Sequence, residues 1–148
     1  MWLMLIFWAQ VQSPPPSRPA SAAQGPASGL DYDVFKTKIQ PLFTEKRPGH
    51  ARCSTCHSTG TAFRLQALPA GRSAYTDEES QKNFQMVARF VKAGDPMHSR
   101  LLLMPLAHEA GGTEFHPGGK HWMSQDDPEW KTLADWVRKA ATDVSGRH

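Results

Sequence analysis

Apolar residues recur at three- and four-residue spacing in separate stretches of the chain, and these predict helices. Val34, Phe35, Ile39, Leu42 and Phe43 fall on one helical face, with Asp31 placed to cap the start. Pro41 is expected to bend this helix or to shorten its last turn. A second helix is predicted after Thr76, because Asp77, Glu78 and Glu79 occupy a first turn where the helix dipole favours negative charge. Phe84, Val87, Phe90 and Val91 give it an apolar face, and Gly94 is expected to end it. A short third helix is predicted from Ser99 through Leu101, Leu102 and Leu103, stopping at Pro105. The last begins at Asp127-Pro128, a cap followed by proline at the first helical position, and carries Trp130, Leu133, Trp136, Val137 and Ala140 on one face.

No segment alternates apolar and polar residues as a half-buried strand does. Residues 46–76, and residues 106–123 with their Gly111-Gly112 and Gly118-Gly119 pairs, read as long loops. The predicted class is therefore all-α with long loops. A compact domain of this size carries so much loop only when something else organises it. A large bound prosthetic group would supply the missing core.

The length of 148 residues suits one domain. Residues 1–9, MWLMLIFWA, form an apolar run too short to span a bilayer and about as long as a signal-peptide core. Five of the 12 prolines then fall between Pro14 and Pro26 among Ser, Ala and Gly. Such a segment buries too little apolar surface to offset its ordering entropy, and is expected to be a disordered, partly polyproline linker. Ala20-Ser21-Ala22 is a small-x-small triplet suited to cleavage. The domains expected are thus 1–30, a signal-like segment with linker, and 31–148, the folded unit. Export to the periplasm is one reading of the first segment; a membrane-associated anchor and a plain disordered terminus are the others.

The net charge of +3 is too small to argue for nucleic acid, and no basic run supports it. The only two cysteines lie three residues apart, which excludes a multi-disulfide scaffold. They stand in Cys53-Ser54-Thr55-Cys56-His57. C-x-x-C-H is the attachment signature of one covalent c-type haem. Two thiols about one turn apart can each add to a vinyl group of the porphyrin, and the adjoining histidine is then held beneath the iron as its proximal ligand. Three other chemistries can be drawn on these residues. A Cys2His2 zinc site can be drawn with His50 and His57, but the usual second-pair spacing is absent. A thioredoxin-type pair would be expected near a βαβ pattern, which is missing. A disulfide closing so tight a loop would stabilise little.

With these residues in view, 31–139 resembles the single-haem cytochrome c domains of bacterial periplasmic proteins. The likeness is to a group whose distal loop carries H-x-G-G-K-x-W/F. The matching segments are DVFKTKIQPLF, CSTCH, NFQMVARFVKAGDP, SRLLLMPLA, FHPGGKHW and DDPEWKTLADWV. The resemblance implies a cytochrome-c-like helical fold wrapped around the haem, and electron transfer between redox protein partners. It also implies that the distal iron ligand arrives late, just before the last helix. Met97, His98, Met104, His108, His116, His121 and Met123 are candidates, and the resembled pattern points to His116. There Gly118 and Gly119 let the backbone approach a ring closely. Met104, His121 and Met123 stay open as alternatives; Met104 also reads as an ordinary core methionine. His50, His98 and His148 are expected at the surface, and Trp122 and Trp130 as core aromatics.

The expected function is thus a monohaem electron-transfer protein that cycles Fe(III)/Fe(II), with no small-molecule substrate and no enzymatic chemistry. Cys53 and Cys56 would anchor the porphyrin, with His57 and His116 on the iron. Two histidines imply a lower potential than a His/Met pair. One alternative is a haem-relay subunit of a respiratory or photosynthetic membrane complex. Another is a haem sensor or peroxidase with an open sixth position, for which this loop carries many competing ligands. No nucleophile elbow, paired-carboxylate motif or phosphate loop is visible.

Overall fold

Asp31 caps the first helix as expected, its carboxylate accepting from the Val34 amide at 2.9 Å. The computed structural model describes residues 29–145, and the side chains of residues 29–140. The signal-like segment, all but the end of the linker, and His148 lie outside the described residues. The first helix runs as Tyr32–Val34, a π-helical stretch Phe35–Ile39, and Gln40–Thr44. The disturbance expected at Pro41, a bend or a shortened last turn, takes the form of a widened π-helical turn before the proline. The Gln40 amide reaches back five residues to the Phe35 carbonyl, and the helix continues through Pro41 to Thr44.

The second predicted helix spans Asp77–Ala88 and opens with a complete capping box. The Thr76 hydroxyl accepts from the Glu79 amide at 3.2 Å, and the Glu79 carboxylate accepts from the Thr76 amide at 2.8 Å. It ends before Gly94, so Phe90 and Val91 lie beyond it. Tertiary bonds hold the chain there instead: the Leu101 amide donates to the Phe90 carbonyl at 3.0 Å and the Gly94 amide to the Val137 carbonyl at 2.9 Å. The short helix Arg100–Leu103 forms as predicted, although the Ser99 hydroxyl turns away from it and donates to the Asp95 carbonyl at 2.8 Å. The last helix, Pro128–Ser145, begins with Asp127 accepting from the Glu129 amide at 2.9 Å.

The described residues contain no strand, only one isolated parallel bridge between Leu106 and Trp122. The all-α expectation holds at that level. The first and last helices share a core in which Phe35, Ile39, Phe84, Leu133, Trp136 and Val137 are buried. Burying each such side chain contributes roughly 1.5–3 kcal/mol. The Trp136 indole donates to the Asp31 carbonyl at 2.9 Å, pinning the two chain ends of the fold together. A buried polar set joins the first helix to the capped one: Gln40 donates to Ser80 at 3.0 Å and accepts from Asn83 at 3.2 Å. Among the described residues no helix is long and apolar enough to cross a membrane.

Both long loops are ordered by this frame. The first contains a helical turn of its own, Cys53–His57, inside the stretch whose Gly, Pro, Ser and Thr content predicts loop. The second doubles back on itself, with the amides of His121 and Trp122 donating to the Pro105 carbonyl and the Ala107 amide to the Trp122 carbonyl. Gly112 is required in that fold, because a Cβ there would stand 2.0 Å from the Leu106 carbonyl oxygen.

Candidate haem site

Cys53, Cys56 and His57 occupy one helical turn, so both thiols and the imidazole reach the same cavity. Cys53 is half-buried, and burial pushes its thiol up while the nearby Arg47 guanidinium pulls it down. The chain then folds back, with the Leu65 amide donating to the His57 carbonyl at 2.7 Å. This return brings Phe63 against the histidine, edge-on with ring centres 4.8 Å apart.

The hydrogen bonds of His57 fix its tautomer. Its Nδ1 lies 2.9 Å from the Phe63 carbonyl oxygen, which only accepts, so Nδ1 carries the hydrogen. The Thr61 oxygen, at 3.1 Å, accepts a share of it while its own hydroxyl donates to Phe63. Burial holds the ring below the usual histidine range and so favours the neutral form. The lone pair is left on Nε2. A metal-ligating histidine characteristically gives its other N–H to a backbone carbonyl in this way.

His116 repeats the arrangement. Its Nδ1 donates to the Gly119 carbonyl at 2.6 Å, which again leaves Nε2 as the nitrogen with a free lone pair. The ring centres of His57 and His116 are 6.2 Å apart and their planes differ by 17°.

The cavity holding these groups has a volume of about 370 Å³, within the roughly 300–1,000 Å³ usual for cofactor and small-molecule sites. Phe43, Phe63, Phe90, Leu101, Pro105 and Trp122 supply apolar wall, and among the described residues no Asp or Glu lines it. Two thiols on one turn with a histidine beside them, a second imidazole with a free lone pair and an apolar wall are a donor set that suits a c-type haem, so the residues present fit that group.

Of the alternative sixth ligands, Met104 also lines the cavity, and its sulfur lies 3.7 Å from the Thr113 hydroxyl. His121 lines it too, with ring centre 6.0 Å from that of His116. Met123 is 72% exposed and is not among the lining residues. Of the other candidates, Met97 packs against the core, His98 is exposed beside Asp95, and His108 is exposed. Among the described residues no three His, Cys, Asp or Glu side chains converge to hold a metal ion, so the Cys2His2 arrangement drawn with His50 is not assembled. His50 is half-buried rather than at the surface, with its ring centre 4.9 Å from that of His121.

Several supporting residues escaped the sequence reading. Arg47 pairs with Glu129, donates to the Leu42 carbonyl at 3.2 Å and lies 3.9 Å from the Cys53 sulfur. The Trp122 indole donates to the same Glu129 carboxylate at 3.2 Å. Lys120 donates to the carbonyls of Met104 and Thr113, tying the two legs of the distal loop with no acidic partner among the described residues. His121 is shifted down to about 4, first by burial and then by the neighbouring His50 and Arg47. Comparison with protein-family models, curated proteins and solved structures finds no match for this chain.

Proposed function

We propose that this chain is a monohaem c-type cytochrome that passes single electrons between redox protein partners. The observation that carries the reading is the pair His57 and His116 facing one apolar cavity. Their rings are 6.2 Å apart, each Nδ1–H is engaged by a backbone carbonyl, and the two thiols of the CSTCH turn lie beside them. A bound haem would supply one-electron Fe(III)/Fe(II) chemistry. Cys53 and Cys56 would hold the porphyrin by thioether bonds, and His57 and His116 would ligate the iron. The chain's own work is to fix both imidazoles in the correct tautomer and to surround the group with apolar wall. Compared with a His/Met site, such a site has a lower potential.

The test is expression with haem c maturation. One haem should stay on the chain through denaturation and acid-acetone extraction, and Cys53→Ala or Cys56→Ala should weaken its retention. The ferric spectrum should be low-spin without the charge-transfer band of methionine sulfur. His116→Ala should turn it high-spin and speed carbon monoxide binding to the reduced form at least tenfold. Haem that extracts freely overturns the reading. A methionine variant, Met104→Ala or Met123→Ala, that loses low-spin character while His116→Ala keeps it overturns the assignment of His116.

A further inference from the structure

Four residues of the distal loop, His116-Pro117-Gly118-Gly119, bond to one another twice. The Gly119 amide donates to the His116 carbonyl at 2.9 Å and closes a turn, and His116 Nδ1 donates to the Gly119 carbonyl at 2.6 Å. The turn and the imidazole therefore hold each other. Pro117, Gly118 and Gly119 are exposed, while His116 is half-buried at the cavity.

The two glycines answer different needs. Gly119 has a φ of +79°, a left-handed conformation that side chains resist, yet a Cβ there would meet no atom of the described residues within 4 Å, chain neighbours aside. Gly118 is the reverse. Its φ is not positive, so a side chain brings no left-handed strain. A Cβ there would instead stand 3.3 Å from His116 Cε1 and 3.7 Å from His116 Nδ1. Among the described residues, chain neighbours aside, these two ring atoms alone would lie within 4 Å of it. Carbon atoms pack at about 3.5–4.0 Å, so the ring would have to give. It cannot turn aside freely, because Gly119 engages its Nδ1–H. Cε1 is bonded to both ring nitrogens, and a push on it moves Nε2, the nitrogen with the free lone pair.

We infer that Gly118 is a positioning residue for the distal ligand: the space left by its missing side chain sets the tilt of the His116 imidazole. The inference rests on the proposed haem reading with His116 as the sixth ligand. Gly118 then acts through the ring of His116, whereas Gly119 acts through the backbone of the loop.

The test uses the full-length, haem-loaded chain and reads carbon monoxide binding to the reduced form beside the ferric electron paramagnetic resonance spectrum. Carbon monoxide enters when His116 leaves the iron, so its rate reports how firmly the ring is seated. Gly118→Ala should speed binding by about two- to tenfold, the factor that accompanies forcing a side chain off its preferred rotamer. The low-spin ferric signal should shift with it, and Gly118→Val should exceed Gly118→Ala in both. If the valine variant does not take up haem, the alanine one decides. Gly119→Asn, a residue that tolerates the left-handed backbone, should keep the parental rate. In a His116→Ala background, Gly118→Ala should leave the rate unchanged, because the ring it acts on is gone, and should not lower the thermal midpoint. Parental rate and signal in the Gly118 variants overturn the inference and leave the haem reading standing. So does an equal effect of Gly118→Ala with His116 removed, or an equal effect of Gly119→Asn. A His116→Ala variant that stays low-spin overturns the distal assignment and this inference with it. A parent chain without covalent haem overturns the haem reading and both of these.

Discussion

His57 and His116 reach the same local solution from unrelated contexts. One sits at the end of a helical turn and gives its Nδ1–H to Phe63; the other sits in a Gly-rich loop and gives it to Gly119. C-x-x-C-H marks the first in the sequence, and Gly118-Gly119 supports the second. Neither signal names the carbonyl that fixes each ring, because that contact depends on how the chain folds back. Lys120 shows the same limit. Its place in FHPGGKHW says nothing of Met104, which lies 16 residues away. Lys120→Met should leave the Thr113 carbonyl without its side-chain donor and the Met104 carbonyl with only the Thr113 hydroxyl, at a cost of about 1–3 kcal/mol. On the proposed reading, the loop bearing His116 then loosens. The melting temperature should fall, and carbon monoxide should bind the reduced haem faster than in the parent. An unchanged rate would mean that the lysine stabilises the loop without holding the ligand.

At the scale of elements, the capped ends were legible and the interiors of the loops were not. Asp31, Thr76 and Asp127 all cap helices in the structure, since capping is a local interaction that sequence can carry. The helix end expected at Gly94 falls earlier because Phe90 and Gly94 exchange backbone bonds with distant segments, and no local signal encodes those. The five-residue Cys53–His57 turn is too short to show periodicity. The capping box makes a pH prediction. Glu79 is held below the usual carboxylate range, first by the Thr76 backbone and then by Arg72. With the folded value lowered, its contribution is fully present above the ordinary value near 4.5 and is lost as pH falls through the folded one. Glu79→Gln keeps an acceptor for the Thr76 amide but carries no charge. Its thermal midpoint should therefore decline less than the parent's between pH 5 and pH 3, roughly the range over which a lowered carboxylate titrates. Parallel declines would remove Glu79 from the acid response.

For the whole molecule, the proposed haem attachment requires delivery to the compartment where thioethers are made. The apolar run at residues 1–9 is the segment proposed to direct that export. Removing residues 1–12 should leave haem-free chain in the cytoplasm, measured by fractionation and haem staining. Normal loading of the truncated chain would discard that role. The order and class of the four main helices were legible at this scale because each apolar face is periodic; the short Cys53–His57, Pro96–His98 and His108–Ala110 turns were not. The cavity was foreseen only as a missing core, and its wall draws on residues far apart in the chain that periodicity does not connect.

Glu129 has one further consequence. Its carboxylate is held from one side by Arg47, beside the CSTCH turn, and from the other by Trp122, beside His121. The two walls of the cavity are thus joined through a single carboxylate oxygen, Glu129 Oε2, and a disturbance on one wall is felt on the other. Mutational effects on opposite walls should then fail to add. Arg47→Met and Trp122→Phe each release part of the same carboxylate, so the double variant should lose less stability than the sum of the two singles. The expected shortfall is about 0.5–3 kcal/mol, the range found for residues sharing one network. A strictly additive cycle in denaturant unfolding would show that the walls behave as separate bodies.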